Sequence, residues 1–175
     1  MERRHIISVL VENHFGVLAR ISSLIAGRGF NIDSLAVGET EDPTVSRMTI
    51  VTHGDERIIE QITKQLNRLI DVVKVTDMTE TAHVERELVL VKVTTPSAQT
   101  RSEVTQIADV FRAKVVDISA SSVTVEVTGT QDKVEAFIEM VEPFGIKEMA
   151  RTGAVAMGRE RSGRASRATS EAKVA

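Results

Sequence analysis

The stretch Met48–Ile62, MTIVTHGDERIIEQI, decides the fold because its period changes halfway through. Met48–His53 alternates as a strand does, Gly54 and Asp55 offer a turn and a helix N-cap, and Ile58, Ile59 and Ile62 share one helical stripe. At an offset of 75, Val123–Phe137, VTVEVTGTQDKVEAF, repeats the plan, with Thr130 as the N-cap candidate and Val134 and Phe137 facing inward. One strand–turn–helix occurring twice points to two copies of one unit.

Working outward, the first copy takes a strand over His5–Val11 and a helix after Gly16 carrying Val17, Leu18, Ile21, Leu24 and Ile25. Gly27 and Gly29 stop that helix. Asn31–Thr40 and Ser46–His53 read as strands, and Leu66 and Leu69 continue the second helical stripe before a strand over Asp71–Asp77. The second copy has strands at Glu87–Thr94, Val115–Ser119, Ser122–Thr128 and Ile146–Arg151. Its first helix carries Val104, Ile107, Ala108 and Phe111 and opens on a Thr100/Glu103 capping box; its second adds Ile138 and Val141. The order β-α-β-β-α-β, twice, predicts an α+β protein of two tandem ferredoxin-like units, each a four-stranded antiparallel sheet with two helices on one face. The expected boundaries are 1–78 for the first unit, a polar linker over 79–86, 87–157 for the second unit and a disordered basic tail over 158–175. Unpaired sheet edges predispose such a unit to pair with a copy of itself or with a neighbour.

Composition narrows the function. Of 175 residues, 42% are apolar and 27% charged, the profile of a folded globular chain. Zero cysteines exclude disulfides and thiolate chemistry. Apolar runs fall well short of the ~18 residues that span a bilayer, and MERRHIISVLVEN leads to no cleavage site, so no membrane association and a cytoplasmic location are expected. A net charge of -3 and strands without aromatics in the first unit argue against nucleic-acid binding. Arg159–Ala175 carries five basic and two acidic residues with little to bury; it reads as a solvated tail, with contact to an acidic partner as the alternative.

The four histidines, His5, His14, His53 and His83, form no ligand pair, and neither a glycine-rich phosphate loop nor a serine elbow occurs. Glu39, Glu41 and Asp42 read as a solvated loop. Neither catalysis nor a metal is expected of this chain. Asn13-His14-Phe15-Gly16, where the first strand hands over to a helix, suits binding instead. The orphaned N–H groups of a helix start favour a carboxylate, Gly16 permits close backbone approach, and Asn13 can accept from an ammonium. With Asn31 as a second amide, these groups fit a small zwitterionic amino acid. A plain helix cap by Asn13 is the competing reading. The second copy has TTPSAQT at the same turn, without Asn-x-x-Gly, so the fold does not require that pattern.

ENHFGVLARI, RGFNIDSLAVG, SRMTIV and HVERELVLVKV, in this order, resemble the small regulatory subunits of acetolactate synthase (acetohydroxyacid synthase), a likeness running from Arg4 to Met157. The resemblance implies that the first unit is an ACT domain, an amino-acid-sensing module that pairs by its edge strand into a homodimer. It implies a catalytic large subunit as partner, carrying thiamine diphosphate, Mg²⁺ and FAD and condensing 2-oxo acids in branched-chain amino acid biosynthesis. The small subunit, with no cofactor of its own, raises that activity and confers feedback inhibition by valine, in some members also by leucine or isoleucine. It implies that two ACT domains form an eight-stranded sheet with effectors at the interface; the positions matching the family's effector site are Asn13, Gly16 and Asn31, the last expected from the neighbouring protomer, with His14, Phe15, Val17, Leu18 and Ile32 beside them in sequence. A free-standing ACT-type regulator of transcription or of another enzyme is the alternative.

Overall fold

Alternating apolar residues need one covered face, and helices with a single stripe supply the cover. In the computed structural model, which describes residues 3–27 and 31–160, β1 (Arg3–Glu12), α1 (Val17–Ala26), β2 (Ser34–Glu39), β3 (Val45–Gly54), α2 (Glu56–Leu66) and β4 (Val72–Asp77) form the first unit. The second repeats it with β5 (His83–Thr94), α3 (Ala98–Val110), β6 (Lys114–Ile118), β7 (Ser122–Gly129), α4 (Gln131–Val141) and β8 (Ile146–Arg151), then adds β9 (Val155–Gly158). The antiparallel sheets run β2-β3-β1-β4 and β6-β7-β5-β8, the tandem ferredoxin-like arrangement expected. Even the irregularity repeats: pairing slips between Leu10 and Val11 where β1 meets β4, and between Lys92 and Val93 where β5 meets β8.

Ile7, Val9 and Val11 of β1 and Met48 and Ile50 of β3 turn inward against Ile21 and Ile25 of α1 and Ile59, Ile62 and Leu66 of α2. The second core is built mainly from valines, with Phe137 packed edge-to-face on Phe111, ring centres 5.5 Å apart. Each such side chain, fully buried, contributes about 1.5–3 kcal/mol, so chains of Val, Ile and Leu suffice without large aromatics.

Asp55 caps α2 as expected, its carboxylate accepting from Ile58 N at 2.9 Å. Thr130 stands at the N-cap of α4 but makes no side-chain cap. The start of α3 differs from the Thr100/Glu103 box. Ser97 is the cap, its hydroxyl accepting from Thr100 N at 3.1 Å, and Glu103 receives Gln99 Nε2 instead. Ser97 sits in extended conformation directly after Pro96, which ends the strand and brings the helix start forward.

The segment expected as linker is part strand. β5 begins at His83, four residues before Glu87, because β9 pairs with it from His83↔Gly158 to Arg86↔Val155. The β5/β9 ribbon lies on the face of the first sheet that the helices leave bare, where Ile6, Met78 and Ala156 form a third buried cluster. Order also extends past the expected end at 157: Arg159 N donates to Ala82 O. Gly29 and the remainder of the basic tail lie outside the described residues.

Candidate functional site

β1 ends at Glu12, and the loop after it is held by the backbone on both sides: Glu12 N donates to Asp71 O at 2.8 Å and Asn13 N to Thr44 O at 2.7 Å. Gly16, not Asn13, is the N-cap of α1. Its φ of 87° is the left-handed conformation that glycine adopts without strain, and no side chain caps the turn. Arg20 N makes the first bond back to Gly16 O, so the N–H groups of Val17, Leu18 and Ala19 face outward, with no acidic residue in the first turn to offset them. Nothing lies within 4 Å of where a Cβ at Gly16 would stand. The second copy closes the equivalent helix start with its own Ser97; the first leaves it open.

Both amide hydrogens of Asn13 are committed, one to Glu39 Oε1 at 3.1 Å and one to Pro43 O at 2.9 Å. What remains toward solvent is its carbonyl oxygen, an acceptor suited to an ammonium. Glu39 is thereby drawn out of the solvated acidic loop and tied to the turn. Asp42 in that loop is held below the usual carboxylate range, by the Thr44 hydroxyl first and the Thr44 N–H second. Phe15 is fully exposed and Leu18 nearly half exposed, an apolar rim beside the open amides. Val17 and Ile32 are different: Val17 is buried in the first core and Ile32 packs against it. Only the backbone of Val17 is available at the turn.

His14 is not directed at this opening. Its Nε2 lies 3.1 Å from Asp71 Oδ1 and 3.4 Å from Glu12 Oε2, while Arg20 pairs with the other Asp71 oxygen. Glu12, His14 and Asp71 present ligand atoms within 4.8 Å of one another, but Asp71 already carries the Arg20 guanidinium, and the group reads as a polar clamp under the loop. Asp71 and Arg20 were not legible as partners, since their meeting depends on the turn into β4.

Asn31 precedes β2 rather than starting it. Its carbonyl accepts from the Thr52 hydroxyl at 2.6 Å, and its side-chain amide donates to Asp33 Oδ1 at 2.9 Å. Asp33 in turn lies 2.6 Å from His53 Nδ1. Thr52 pairs with His5, whereas Asn13 follows Glu12 at the far end of β1. Seven residues of extended strand separate these ends by about 23 Å. Asn13 and Asn31 of one chain therefore do not share a site. β2, however, is an outer strand of its sheet, and its Glu39 end touches Asn13 while its Ser34 end adjoins Asn31.

The family model described as the AHAS small subunit-like ACT domain matches residues 7–74, and that of the small subunit of acetolactate synthase matches residues 86–160. The chain is 60% identical to the acetolactate synthase small subunit of Aquifex aeolicus over 91% of its own length and 83% of that protein. It is 52% identical to that of Mycolicibacterium smegmatis, over 89% of this chain and 91% of the other. The crystal structure of the small subunit from Thermotoga maritima superposes with a TM-score of 0.82 at 43% identity, covering 91% of this chain and 99% of that one. With both units matched by the family's own models and high identity across nearly the whole chain, the protein belongs to the acetolactate synthase small-subunit family, a regulatory subunit whose first unit is an ACT domain.

Proposed function

We propose that this chain raises the activity of a catalytic acetolactate synthase subunit and makes it sensitive to a branched-chain amino acid, valine first and leucine or isoleucine as alternatives, and that the effector binds between two copies of the first unit. The observation that carries this reading is the placement of the two amides at opposite ends of β2, an outer strand that pairs with β3 along one edge only. Antiparallel pairing of β2 with β2 of a second copy would bring the partner's Ser34 end, and Asn31 with it, alongside Glu39 and Asn13 of the first. The resulting sheet has eight strands and two identical sites related by a two-fold axis. In each, the open N–H groups after Gly16 receive the carboxylate, Asn13 Oδ1 accepts from the ammonium, Asn31 closes the far side, and Phe15 and Leu18 flank the aliphatic side chain.

The chemistry of condensing 2-oxo acids belongs to the catalytic subunit, with its thiamine diphosphate, Mg²⁺ and FAD. This chain acts by linkage. Valine changes the activity of its partner only if it binds two quaternary arrangements unequally, and a coupling of about 1–3 kcal/mol corresponds to roughly 5- to 150-fold. Calorimetry of the chain with valine, leucine and isoleucine, together with capture of the catalytic subunit and its activity with and without valine, tests the proposal. Absence of heat with all three, or no gain in activity on mixing, refutes it.

A further inference from the structure

We propose that Ser34 and Gly153 form the joint through which effector occupancy in the first unit reaches the second. The inference rests on the effector reading above and concerns how that site communicates. Asn31 is coupled to the start of β2 by a short chain of contacts: its amide donates to Asp33, Asp33 N donates to Val51 O at 2.9 Å, and the next residue is Ser34. The Ser34 hydroxyl then crosses to the second unit, accepting from Ala154 N at 3.1 Å. Among the described residues this is the inter-unit hydrogen bond that starts from β2.

The other side of the joint is built for close approach. Gly153 has φ 76°, and a Cβ there would collide with the Ser34 hydroxyl, so a residue with a side chain would be both strained and displaced. Gly153 lies on the short connection from β8, an outer strand of the second sheet, to β9, the strand laid over the first sheet. A shift at Ser34 therefore acts on β8 and on the β5/β9 ribbon together. The remaining contacts anchor the ribbon elsewhere. Arg4 pairs with Glu85, Ala156 N lies 3.4 Å from Thr49 Oγ1, and Ile6 and Met78 pack on Ala156. Beside the joint, a cleft of about 390 Å³ lined by Arg4, Asp33, Glu87, Glu135 and Arg151 separates the units. Apart from the buried Ile6, Met78 and Ala156 cluster, the units meet through polar contacts beside this cleft, which leaves the second sheet room to change its angle while the ribbon stays packed on the first.

The test compares wild type, Ser34→Ala, Ser34→Thr and Gly153→Ala as full chains with the catalytic subunit. Valine affinity is read by calorimetry with and without that subunit, and inhibition by assay of the reconstituted enzyme. The expected result for Ser34→Ala is valine affinity of the free chain within about twofold of wild type, unchanged activation, and a loss of most valine inhibition. With the joint cut, the catalytic subunit is also expected to stop altering valine affinity, which in wild type it does by about fivefold or more, a binding coupling read separately from the inhibition. Ser34→Thr, which keeps the hydroxyl, restores both, and Gly153→Ala behaves as Ser34→Ala. If Gly153→Ala fails to fold, the serine pair decides alone. Wild-type inhibition in Ser34→Ala overturns the joint, and so does loss of valine binding, which would make Ser34 part of the site. Failure of the wild-type chain to bind valine refutes the effector reading itself, and is seen before any variant is made.

Discussion

Replacing Gly16 by aspartate separates binding from folding. The φ of 87° disfavours a side chain by about 1–2 kcal/mol, though Asp and Asn tolerate this region better than other residues. No atom within 4 Å opposes the new Cβ. A carboxylate at an otherwise uncapped helix start recovers about 0.3–1 kcal/mol from the helix dipole. The folded chain should therefore lose no more than about 1–2 kcal/mol. An effector carboxylate seated on the same amides would instead meet a like charge about 4 Å away, a repulsion of about 4 kcal/mol at the effective dielectric of a protein surface. That is nearly three decades in affinity. Gly16→Asn, of the same shape without the charge, should lose far less. The assay is valine titration of the reconstituted enzyme, with calorimetry on the free chain and a melting curve for each variant. Gly16→Asp should activate normally and resist valine. Half-inhibition within threefold of wild type, in a variant that melts normally, would falsify the placement of the effector carboxylate at this turn.

Val37 lies on β2 and is nearly half exposed, so Val37→Lys should hinder pairing with a second copy; sedimentation should show monomers, with valine binding lost although the turn is untouched. The caps give an internal comparison: Asp55→Ala should cost about 1 kcal/mol in denaturant unfolding, whereas Thr130→Ala, which removes no cap hydrogen bond, should cost much less. Glu60 and Glu148 are held below the usual 4.5, by Lys64 and Lys92 hydrogen bonds first, and Asp42 below 3.8 by Thr44. Lowered folded-state values give stability that is present at neutral pH and lost as pH falls through them, so the melting temperature should decline modestly below about pH 4 and stay flat from pH 6 to 8 on their account.

Most of the fold was legible because its signals are local. Ile7, Val9 and Val11 announce a strand, and Ile58, Ile59 and Ile62 a helix, wherever the chain goes afterwards. What escaped depends on contacts between distant segments. In β9 the buried residue is Ala156, with Ala154 just before the strand also buried, while Val155 and Met157 face solvent, the reverse of what hydrophobicity suggests. Small side chains are inside because the strand presses directly onto the first sheet. His83–Arg86 looked like linker for the same reason: its partner is seventy residues away. At the candidate site the irregular turn from Asn13 to Gly16 shows in the sequence, and Val17 already lies on the helical stripe that the core buries, which leaves only its backbone at the turn. Nor did sequence spacing reveal that Asn13 and Asn31 lie at opposite ends of one sheet.

Mixing two variants shows whether the two amides of one site come from different copies. Asn13→Ala and Asn31→Ala should each abolish high-affinity valine binding by calorimetry, since every site draws one amide from each copy. Mixed, unfolded and refolded together, they should recover binding at about one quarter of the wild-type sites, because each mixed dimer carries one site with both amides intact and one with neither. A site built within a single chain would give no recovery, and that result would contradict the account.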